Sequence, residues 1–277
     1  MEKLYGVIGD PISHSMSPLM HNTAFTHHGL DARYMAFHVT PERLSSAIEG
    51  LKGLNIGGIN VTIPHKVTVM KYLDEIDQLA KQIGAVNTIV NKKGKLIGYN
   101  TDGIGFVNSL KPLLQEKKLQ NQSILLIGAG GAARAIYYSL VAEGCTTVDV
   151  SNRTIVNAEL LTKGNPCSNA ITIHDAEQQL HTYDIIINTT SVGMYPQTNE
   201  LPIQIDHIKT GAIVSDIIYN PLETRLLIEA KQRGAITQNG IDMFVFQGAL
   251  AFEKWTGIYP DIETMKSVIK KKLGGVS

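Results

Sequence analysis

The sequence has no excess of either charge and very few cysteines. Lysine plus arginine and aspartate plus glutamate each number 25, so the formal net charge is +0 at pH 7. A chain without a basic excess lacks the electrostatic footprint expected for binding nucleic acid or an anionic membrane surface. Cys145 and Cys167 form no CxxC pair, and the histidines include no HExxH motif. We therefore expect no nucleic-acid partner, no metal site and reduced thiols in a cytoplasmic protein; the alternative for the two cysteines is a single disulfide.

Long apolar segments are also missing. No uninterrupted apolar run is long enough to span a bilayer, so we expect no membrane partner. The first nine residues read as a strand and lack the apolar core and cleavage site of a signal peptide. Hydrophobic residues make up 43% and charged residues 18%, which is typical of a folded globular protein. With 277 residues, the chain suits two domains of ordinary size.

The polar candidates gather around one stretch, residues 58–66, which reads GINVTIPHK. Apolar and polar residues alternate across it, which predicts a strand that ends at Pro64 with positions 59, 61 and 63 on one side. Lys66 then follows the carboxyl end of the strand, where open α/β sheets bind ligands. Together with Asn60 and Thr62, this lysine suits a polyhydroxylated small molecule with a proton to be moved. The alternative is that Asn60 and Thr62 cap the next helix and that Lys66 is a solvated surface charge.

Two serines precede the first predicted helix. Ser17 followed by Pro18 is a good N-cap and first-turn pair, which predicts a helix to about His28. Ser15 and Ser17 would therefore lie beside free backbone N–H groups, a ready site for a carboxylate or phosphate. The alternative is that both serines only cap the helix.

The rest of the first half predicts a mixture of strands and helices. Predicted strands cover 32–39, 85–90 and 95–99, with a turn at 93–94; predicted helical stretches cover 40–51, 66–73, 76–83 and the segment from the 100–103 loop to 114. Asn87 and Asp102 each sit at the end of a strand. Such residues are more often turn or cap residues than ligands.

A glycine-rich loop opens the second half. The continuous apolar run Ser123–Ile127 predicts a strand buried on both faces, and it leads into GAGGAA at 128–133 and a helix to Glu143. Strand, G-x-G-x-x-A, helix and a second strand at 146–150 together form a dinucleotide-binding fingerprint. Gly128 allows the tight turn, Gly130 lets a pyrophosphate approach, and Ala133 permits close packing of helix on strand.

The tip of that second strand favours NADP over NAD. NAD-binding proteins usually carry a carboxylate there for the ribose 2′-hydroxyl, whereas this strand ends in Ser-Asn-Arg-Thr. Arg153 can pair with a 2′-phosphate, and Asn152 and Thr154 can hydrogen-bond to it. Asp149 lies inside the strand and is not expected at the ribose. The alternative is that Arg153 is an exposed surface charge.

The remaining elements predict a doubly wound parallel sheet. Further strands are predicted at 184–188, 212–216 and near 236, and helices at 223–233 and from Gly240 onward. The tail from Lys270 to Gly275 reads as a frayed, solvated end. The predicted fold class is therefore α/β with two domains.

In their order along the chain, these motifs resemble the shikimate dehydrogenase family, and the resemblance covers nearly the whole chain. The matching motifs are SMSP at 15–18, NVTIPHK at 60–66, GAVNT at 84–88, NTDG at 100–103, GAGGA at 128–132, NRT at 152–154, NTTSVGM at 188–194 and GIDM at 240–243 with Gln247 and WTG at 255–257. The resemblance implies reversible NADPH-dependent reduction of 3-dehydroshikimate to shikimate, a step towards aromatic amino acids. It also implies a smaller α/β substrate-binding domain, residues 1–106 completed by C-terminal helices at 241–277, and a Rossmann-type NADP-binding domain at 107–240.

Residue roles follow from the same resemblance. Lys66 and Asp102 would be the catalytic pair. The residues implied to hold the carboxylate and hydroxyls of the substrate are Ser15, Ser17, Asn60, Thr62, Asn87, Tyr219 and Gln247. The residues implied to line the cofactor are Gly128, Ala129, Gly130, Gly131, Ala132, the segment 152–157 with Asn152, Arg153 and Thr154, and further along Ile217, Gly240 and Met243. Asn157 stands where family members often carry a second basic residue, so binding of the 2′-phosphate would depend more on Arg153.

Three other interpretations compete with this one. A quinate/shikimate dehydrogenase that prefers NAD is disfavoured by Asn152-Arg153-Thr154. A methylenetetrahydrofolate dehydrogenase would need a larger and more aromatic pocket than Ser15, Ser17, Asn60 and Thr62 suggest. A catalytically silent NADP-binding sensor would not need both Lys66 and Asp102. The sequence leaves the oligomeric state open, with a homodimer as one candidate assembly.

Overall fold

The computed structural model describes residues 2–274. The chain divides into two compact units, Met1–Gly105 with Val245–Ser277 and Phe106–Phe244. The units are nearly equal in length because the C-terminal helices add to the first. The predicted division has boundaries at 106–107 and 240–241; Met1 of the predicted first strand, and residues 275–277 of the predicted tail and C-terminal segment, lie outside the described residues.

Strands and helices alternate along most of the chain. The strands are β1 Lys3–Gly9, β2 Ala32–His38, β3 Gly58–Val61, β4 Glu75–Ile76, β5 Thr88–Lys92, β6 Lys95–Tyr99, β7 Ile124–Ile127, β8 Val148–Ser151, β9 Ala170–Ile171, β10 Ile185–Asn188, β11 Ile213–Asp216 and β12 Ile236–Gln238. The α-helices are α1 Ser17–His27, α2 Leu44–Gly53, α3 Gln78–Ile83, α4 Asp102–Leu110, α5 Gly131–Ala142, α6 Ile155–Thr162, α7 Ile173–Gln179, α8 Arg225–Gln232, α9 Gly240–Thr256 and α10 Ile262–Lys272. Short 3-10 helices occur at Pro41–Arg43, Thr68–Tyr72, Lys111–Leu114, Leu119–Asn121 and Leu180–Thr182.

The first unit is built on a mixed sheet of order β2-β1-β3-β5-β6-β4. The strands β1, β2 and β3 run parallel, whereas β5 runs antiparallel to β3 and β6. Lys93 and Gly94 have positive φ angles of 55° and 89°, so the predicted β5–β6 turn is confirmed. Ile59 and Val61 pack into one apolar core of this unit, while Asn60 between them points to the other face.

An aromatic cluster packs α9 and α1 onto the other face of this sheet. The ring of Tyr5 stacks on Phe25 and on Trp255 with centroid distances of 5.3 and 5.2 Å. The indole Nε1 of Trp255 donates to the carbonyl of Ile89 at 3.0 Å. A Cβ at Gly58 would lie 2.1 Å from that Nε1, so only glycine lets the indole approach the strand this closely.

Several predicted boundaries in the first unit are wrong. The strand β3 ends at Val61 and not at Pro64; beyond it the chain turns, with the amide of His65 donating to the carbonyl of Thr62, and Ile63 is 72% exposed. The stretch 66–73 forms a 3-10 helix at Thr68–Tyr72 and not a longer apolar helix.

Helix starts also differ from the sequence prediction. Ser17 is the first residue of α1 and not its cap, because Met16 occupies the N-cap position without a side-chain bond. The helix α3 begins at Gln78 because the Asp77 side chain caps it by accepting from the amide of Leu79. Asp102 belongs to the first turn of α4 and not to the preceding loop.

The second unit contains a parallel sheet of order β12-β11-β10-β7-β8-β9. This is the strand order of a doubly wound fold, in which the order reverses between β7 and β10. All four residues of β7 are buried, as the continuous apolar run predicts. The elements α6, β9 and α7 are not among those predicted from the sequence, and Lys270, predicted to open a frayed tail, lies within α10. Within residues 2–274, no helix is long and apolar enough to cross a membrane.

Candidate active site

Lys66 and Asp102 form an ion pair in the first unit. The ammonium Nζ lies 2.6 Å from Oδ2 of Asp102, and the two side chains are 32% and 16% exposed. The backbone holds both residues: the carbonyl of Lys66 accepts from the amide of Val86, and the amide of Asp102 donates to the side chain of Asn100. A partly exposed ammonium held by a carboxylate is a group that can donate a proton and then be protonated again.

Asn87 fixes the other oxygen of Asp102. Its Nδ2 donates to Oδ1 of Asp102 at 2.7 Å and to the hydroxyl of Thr101 at 3.0 Å. Its Oδ1 accepts from the amide of Thr101 at 2.8 Å and from the hydroxyl of Thr88 at 2.9 Å. Both oxygens of Asp102 are therefore anchored, and the carboxylate presents a fixed geometry to Lys66.

Asn60 belongs to the same network. Its Nδ2 donates to the carbonyl of Asn87 at 3.2 Å and to the hydroxyl of Thr88 at 3.1 Å, and its Oδ1 accepts from the hydroxyl of Tyr34 at 2.7 Å. The structure thus brings together four residues that the sequence predicted for the site: Asn60, Lys66, Asn87 and Asp102.

Ser15, Ser17 and Thr62 lie in the same unit. The amide of Ser17 donates to Oγ of Ser15 at 3.3 Å, so Ser15 helps to shape the start of α1. Burial raises the pKa of the Tyr34 phenol well above its usual range, and a hydrogen bond from the Ser17 side chain partly opposes that shift. A Cβ at Gly9 would lie 2.5 Å from Cγ2 of Thr62, so a glycine at this position leaves room for the Thr62 side chain.

Gln247 lies in α9, where that helix packs closely against α4. A Cβ at Gly105 would lie 2.6 Å from the backbone nitrogen of Gln247. The absence of a side chain at Gly105 therefore allows Gln247 to come this close to the helix that carries Asp102. Tyr219 belongs to the second unit, where its ring lies 5.7 Å from that of Phe244 and burial raises the pKa of its phenol.

The glycine loop of the second unit has the geometry of a phosphate site. Gly128 has a φ angle of 108°, and a Cβ there would lie 2.4 Å from the hydroxyl of Thr189. Apart from the adjoining residues and the helix's own backbone, no heavy atom of residues 2–274 lies within 4 Å of a Cβ built at Gly130 or Gly131, so this side of the loop is open. Gly130 is the N-cap of α5 and provides no side-chain cap. The first-turn N–H groups can therefore bind a pyrophosphate, and the loop with Ala129 and Ala132 fits a dinucleotide.

The tip of β8 carries the residues that would read a 2′-phosphate. The side chain of Asn152 donates to the carbonyl of Thr154 at 2.9 Å and shapes the turn from which the exposed Arg153 projects. Asp149 is 8% exposed, and its carboxylate accepts from Asn169 at 2.9 Å and from the hydroxyl of Tyr183 at 2.8 Å. This carboxylate is used inside the unit, in line with its position within the strand.

Three further predicted cofactor residues lie close together in the second unit. The amide of Gly240 donates to the carbonyl of Ile218 at 2.9 Å, and a Cβ at Gly240 would lie 2.0 Å from the carbonyl oxygen of Ile217. The side chains of Ile217 and Met243 pack against an apolar core of the second unit. Any side chain at position 240 would push apart the start of α9 and the segment after β11.

Comparison with known protein families shows to which family a chain with this Lys66–Asp102 site and this glycine loop belongs. Family models match residues 7–89 as a shikimate dehydrogenase substrate binding domain, 112–217 as shikimate / quinate 5-dehydrogenase and 240–270 as a shikimate 5'-dehydrogenase C-terminal domain. The chain belongs to the shikimate dehydrogenase family.

Individual members of the shikimate dehydrogenase family resemble the whole chain. A shikimate dehydrogenase (NADP(+)) of Bacillus cereus is 59% identical over 99% of this chain and 100% of its own length. A shikimate dehydrogenase solved with NADP+ is 45% identical, with a TM-score of 0.89 over 98% of this chain and 96% of the other. The Thermus thermophilus enzyme, solved with NADP(H) and shikimate, is 33% identical, with a TM-score of 0.88 over 97% of this chain and 99% of the other. The predicted family, fold class, activity and cofactor are confirmed by these relatives.

Some residues that support the shikimate dehydrogenase site are not among those predicted from the sequence. Thr88, Thr101 and Tyr34 all hydrogen-bond to site residues, and Thr88 and Thr101 are fully buried. Thr88 and Thr101 are signalled in the sequence by their positions beside Asn87 and Asp102, whereas Tyr34 on β2 has no such signal. Asp216 was missed as well. Its buried carboxylate accepts from the amide of Ile218 at 3.0 Å, from Thr224 at 2.8 Å and from Asn188 at 3.1 Å, and so ties together the segments after β10 and β11.

Asp216→Asn is expected to change how stability depends on pH. Burial raises the pKa of Asp216 to about 6 from an ordinary value of 3.8, and the hydrogen bonds from Ile218, Thr224 and Asn188 only partly oppose this. The contribution of this group to stability is therefore present below pH ~4 and is lost as pH rises through about 6. Relative to the wild type, the variant should gain about 2 kcal/mol of unfolding free energy between pH 4.5 and 7.5. Urea denaturation at both pH values measures the difference, and a constant offset would contradict the prediction.

Proposed function

We propose that this chain catalyses the reaction of its family, reversible NADPH-dependent reduction of 3-dehydroshikimate to shikimate in aromatic amino acid biosynthesis, with Lys66 and Asp102 as the catalytic pair. The ion pair between Nζ of Lys66 and Oδ2 of Asp102 at 2.6 Å is the observation that carries the proposal. Bound NADPH supplies the hydride. Lys66 donates a proton to the oxygen of the ring ketone and removes it from the hydroxyl in the reverse direction.

Asp102 holds Lys66 in place for that transfer. Its Oδ1 is fixed by Asn87, so its Oδ2 can orient the ammonium without turning away. A carboxylate within hydrogen-bond distance of the ammonium can also accept its proton, which allows the pair to act as a unit. Positioned proton transfer of this kind contributes roughly 10²–10⁴-fold to a rate.

The substrate side of the proposal uses mainly the polar groups of the first unit. Ser15 and Ser17 at the start of α1 suit the carboxylate, because a helix N-terminus attracts an anion. Asn60, Thr62 and Asn87 suit the ring hydroxyls and the reacting oxygen. Tyr219 and Gln247 complete the proposed substrate set. Residues 1–106 with 241–277 are accordingly proposed as the substrate-binding domain, and residues 107–240 as the NADP-binding domain.

The cofactor side uses the glycine loop and the tip of β8. The loop at Gly128–Ala132 would hold the pyrophosphate on its N–H groups, and Asn152, Arg153 and Thr154 would hold the 2′-phosphate. Ile217, Gly240 and Met243 would line the same cofactor. The exposed guanidinium of Arg153 and the occupied carboxylate of Asp149 both favour NADP over NAD.

An absorbance assay at the NADPH band tests the proposed function. Purified protein should oxidise shikimate with NADP, and it should be slower with quinate or with NAD. No absorbance change in any of the four combinations would leave a silent NADP-binding sensor as the better interpretation. Equal or better activity with quinate and NAD would instead favour a quinate/shikimate dehydrogenase.

The proposed setting is a cytoplasmic enzyme that acts on a small molecule without nucleic acid. Both cysteines are free thiols, Cys145 buried and Cys167 exposed, which fits a reducing compartment. Equal numbers of acidic and basic residues fit the absence of a nucleic-acid partner. A homodimer is the assembly to test first, by light scattering of the purified protein.

A further inference from the structure

Tyr34 is a buried residue that contacts Asn60 of the proposed substrate site. It is 1% exposed on β2, and its ring stacks on the ring of His21 with a centroid distance of 4.4 Å. Its backbone is fixed as well, because its amide and carbonyl both hydrogen-bond to the side chain of Asn22, at 2.8 and 2.9 Å. The phenol hydroxyl is therefore held in one place, 2.7 Å from Oδ1 of Asn60.

The ring of His21, on which Tyr34 stacks, is uncharged. Burial lowers the pKa of His21 to about 3, so the imidazole is neutral at any pH at which the enzyme would work. Neither ring nitrogen of His21 has a hydrogen-bond partner among residues 2–274. His21 thus positions Tyr34 by stacking alone and places no charge beside the phenol.

The hydrogen bonds of Asn60 decide what this side chain can still bind. Its Nδ2 carries two hydrogens, and these go to the carbonyl of Asn87 and the hydroxyl of Thr88. Its Oδ1 has two acceptor sites, of which Tyr34 occupies one. What remains is a single acceptor site, which can take a hydroxyl hydrogen but repels a carboxylate or a ketone oxygen.

We propose that Tyr34 is a positioning residue for the substrate: its hydroxyl fixes the amide of Asn60 so that Oδ1 accepts a hydrogen bond from a hydroxyl of the substrate ring. This proposal rests on the proposed role of Asn60 in the substrate site. Without the phenol hydroxyl, Oδ1 loses the donor that holds it, and the amide is fixed only through the two hydrogen bonds of Nδ2. The site would then hold a substrate hydroxyl at this position less tightly.

The phenol keeps the proton that this role requires. Its pKa is raised by burial, so Tyr34 is a donor to Asn60 throughout the working range, and its oxygen can accept from Ser17 at the same time. Tyr34 thus connects Ser17, which is proposed to bind the substrate carboxylate, with Asn60, which is proposed to bind a substrate hydroxyl.

Tyr34→Phe tests the proposal, with Tyr5→Phe as a matched control. The control removes a hydroxyl from the same aromatic cluster, where Tyr5 faces Gly57 and not a site residue. Loss of one orienting hydrogen bond should raise KM for shikimate about tenfold in Tyr34→Phe and leave kcat and the KM for NADP within about twofold. Equal effects of Tyr34→Phe and Tyr5→Phe on KM would overturn the proposal, since they would show a general effect of packing.

The Asn60→Ala variant, used as a second genetic background, separates the role of Tyr34 from that of Asn60. In Asn60→Ala, KM for shikimate should rise, and adding Tyr34→Phe should raise it little further, because the proposed effect of the hydroxyl on the substrate passes through Asn60. A raised KM in Asn60→Ala with an unchanged KM in Tyr34→Phe would overturn the role of Tyr34 alone. An unchanged KM in Asn60→Ala would overturn both that role and the proposed contact of Asn60 with the substrate, while the activity of the wild type would still stand.

Discussion

Lys66→Ala is expected to lower kcat for shikimate oxidation by ~10²-fold or more. In the oxidation direction the neutral amine of Lys66 is the group proposed to take the proton from the substrate hydroxyl, and the other oxygen of its neighbour Asp102 is hydrogen-bonded to Asn87. Shikimate should still bind, because Ser15, Ser17 and the Asn60 network remain. Steady-state kinetics with NADP, together with shikimate binding measured by calorimetry, gives both quantities.

Lys71→Ala is the control for that experiment. It removes an ammonium from the 3-10 helix that follows Lys66, where Lys71 lies over the ring of Tyr72 at 4.9 Å. This control should retain the kcat of the wild type. A Lys66→Ala variant with raised KM and unchanged kcat would show that the lysine anchors the substrate and does not transfer the proton.

Arg153→Ala is expected to weaken NADP and spare NAD. A charge-assisted hydrogen bond of a guanidinium to a phosphate is worth about 1.5–3 kcal/mol, so KM for NADP should rise roughly 10- to 150-fold. NAD has no 2′-phosphate, and its KM should change little. The preference for NADP over NAD, measured as the ratio of kcat/KM values, should therefore fall by the same factor.

Arg225→Ala provides the matched control for Arg153. Arg225 also lies in the second unit, but its guanidinium is paired with Glu229 at 2.8 Å and is far from the glycine loop in sequence. It should leave the cofactor preference unchanged. Equal losses for NADP and NAD in Arg153→Ala would show that this arginine does not read the 2′-phosphate and is a general surface charge.

The sequence predicted the second unit well because local signals dominate there. A buried apolar strand, a glycine loop and a helix follow one another without a gap at 124–142, and each leaves its own mark on composition. The elements that were missed, such as β9 and α7, are short and carry no such mark. The early end of β3 depended on the turn of His65 onto Thr62, which alternation of side chains alone does not reveal.

The sequence predicted the reacting groups of the candidate site but not the residues that hold them in position. Lys66 and Asp102 stand out by their chemistry and by the motifs around them. Tyr34 and Thr101 act through hydrogen bonds to residues 26 and 14 positions away in the chain, and no periodic pattern records such pairs. Ser17 was predicted as a helix cap as well as a ligand; the structure removes the capping role, because Met16 holds the cap position.

The kcat of the Lys66→Ala, Asp102→Asn double variant tests the central claim most directly. Two residues that act as one proton-transferring unit do not contribute independently, so removing the second costs less once the first is gone. We expect each single variant to be impaired and the double variant to lose clearly less than the product of the two single losses. A double variant whose loss equals that product would contradict the account, because Lys66 and Asp102 would then act separately in spite of their 2.6 Å contact.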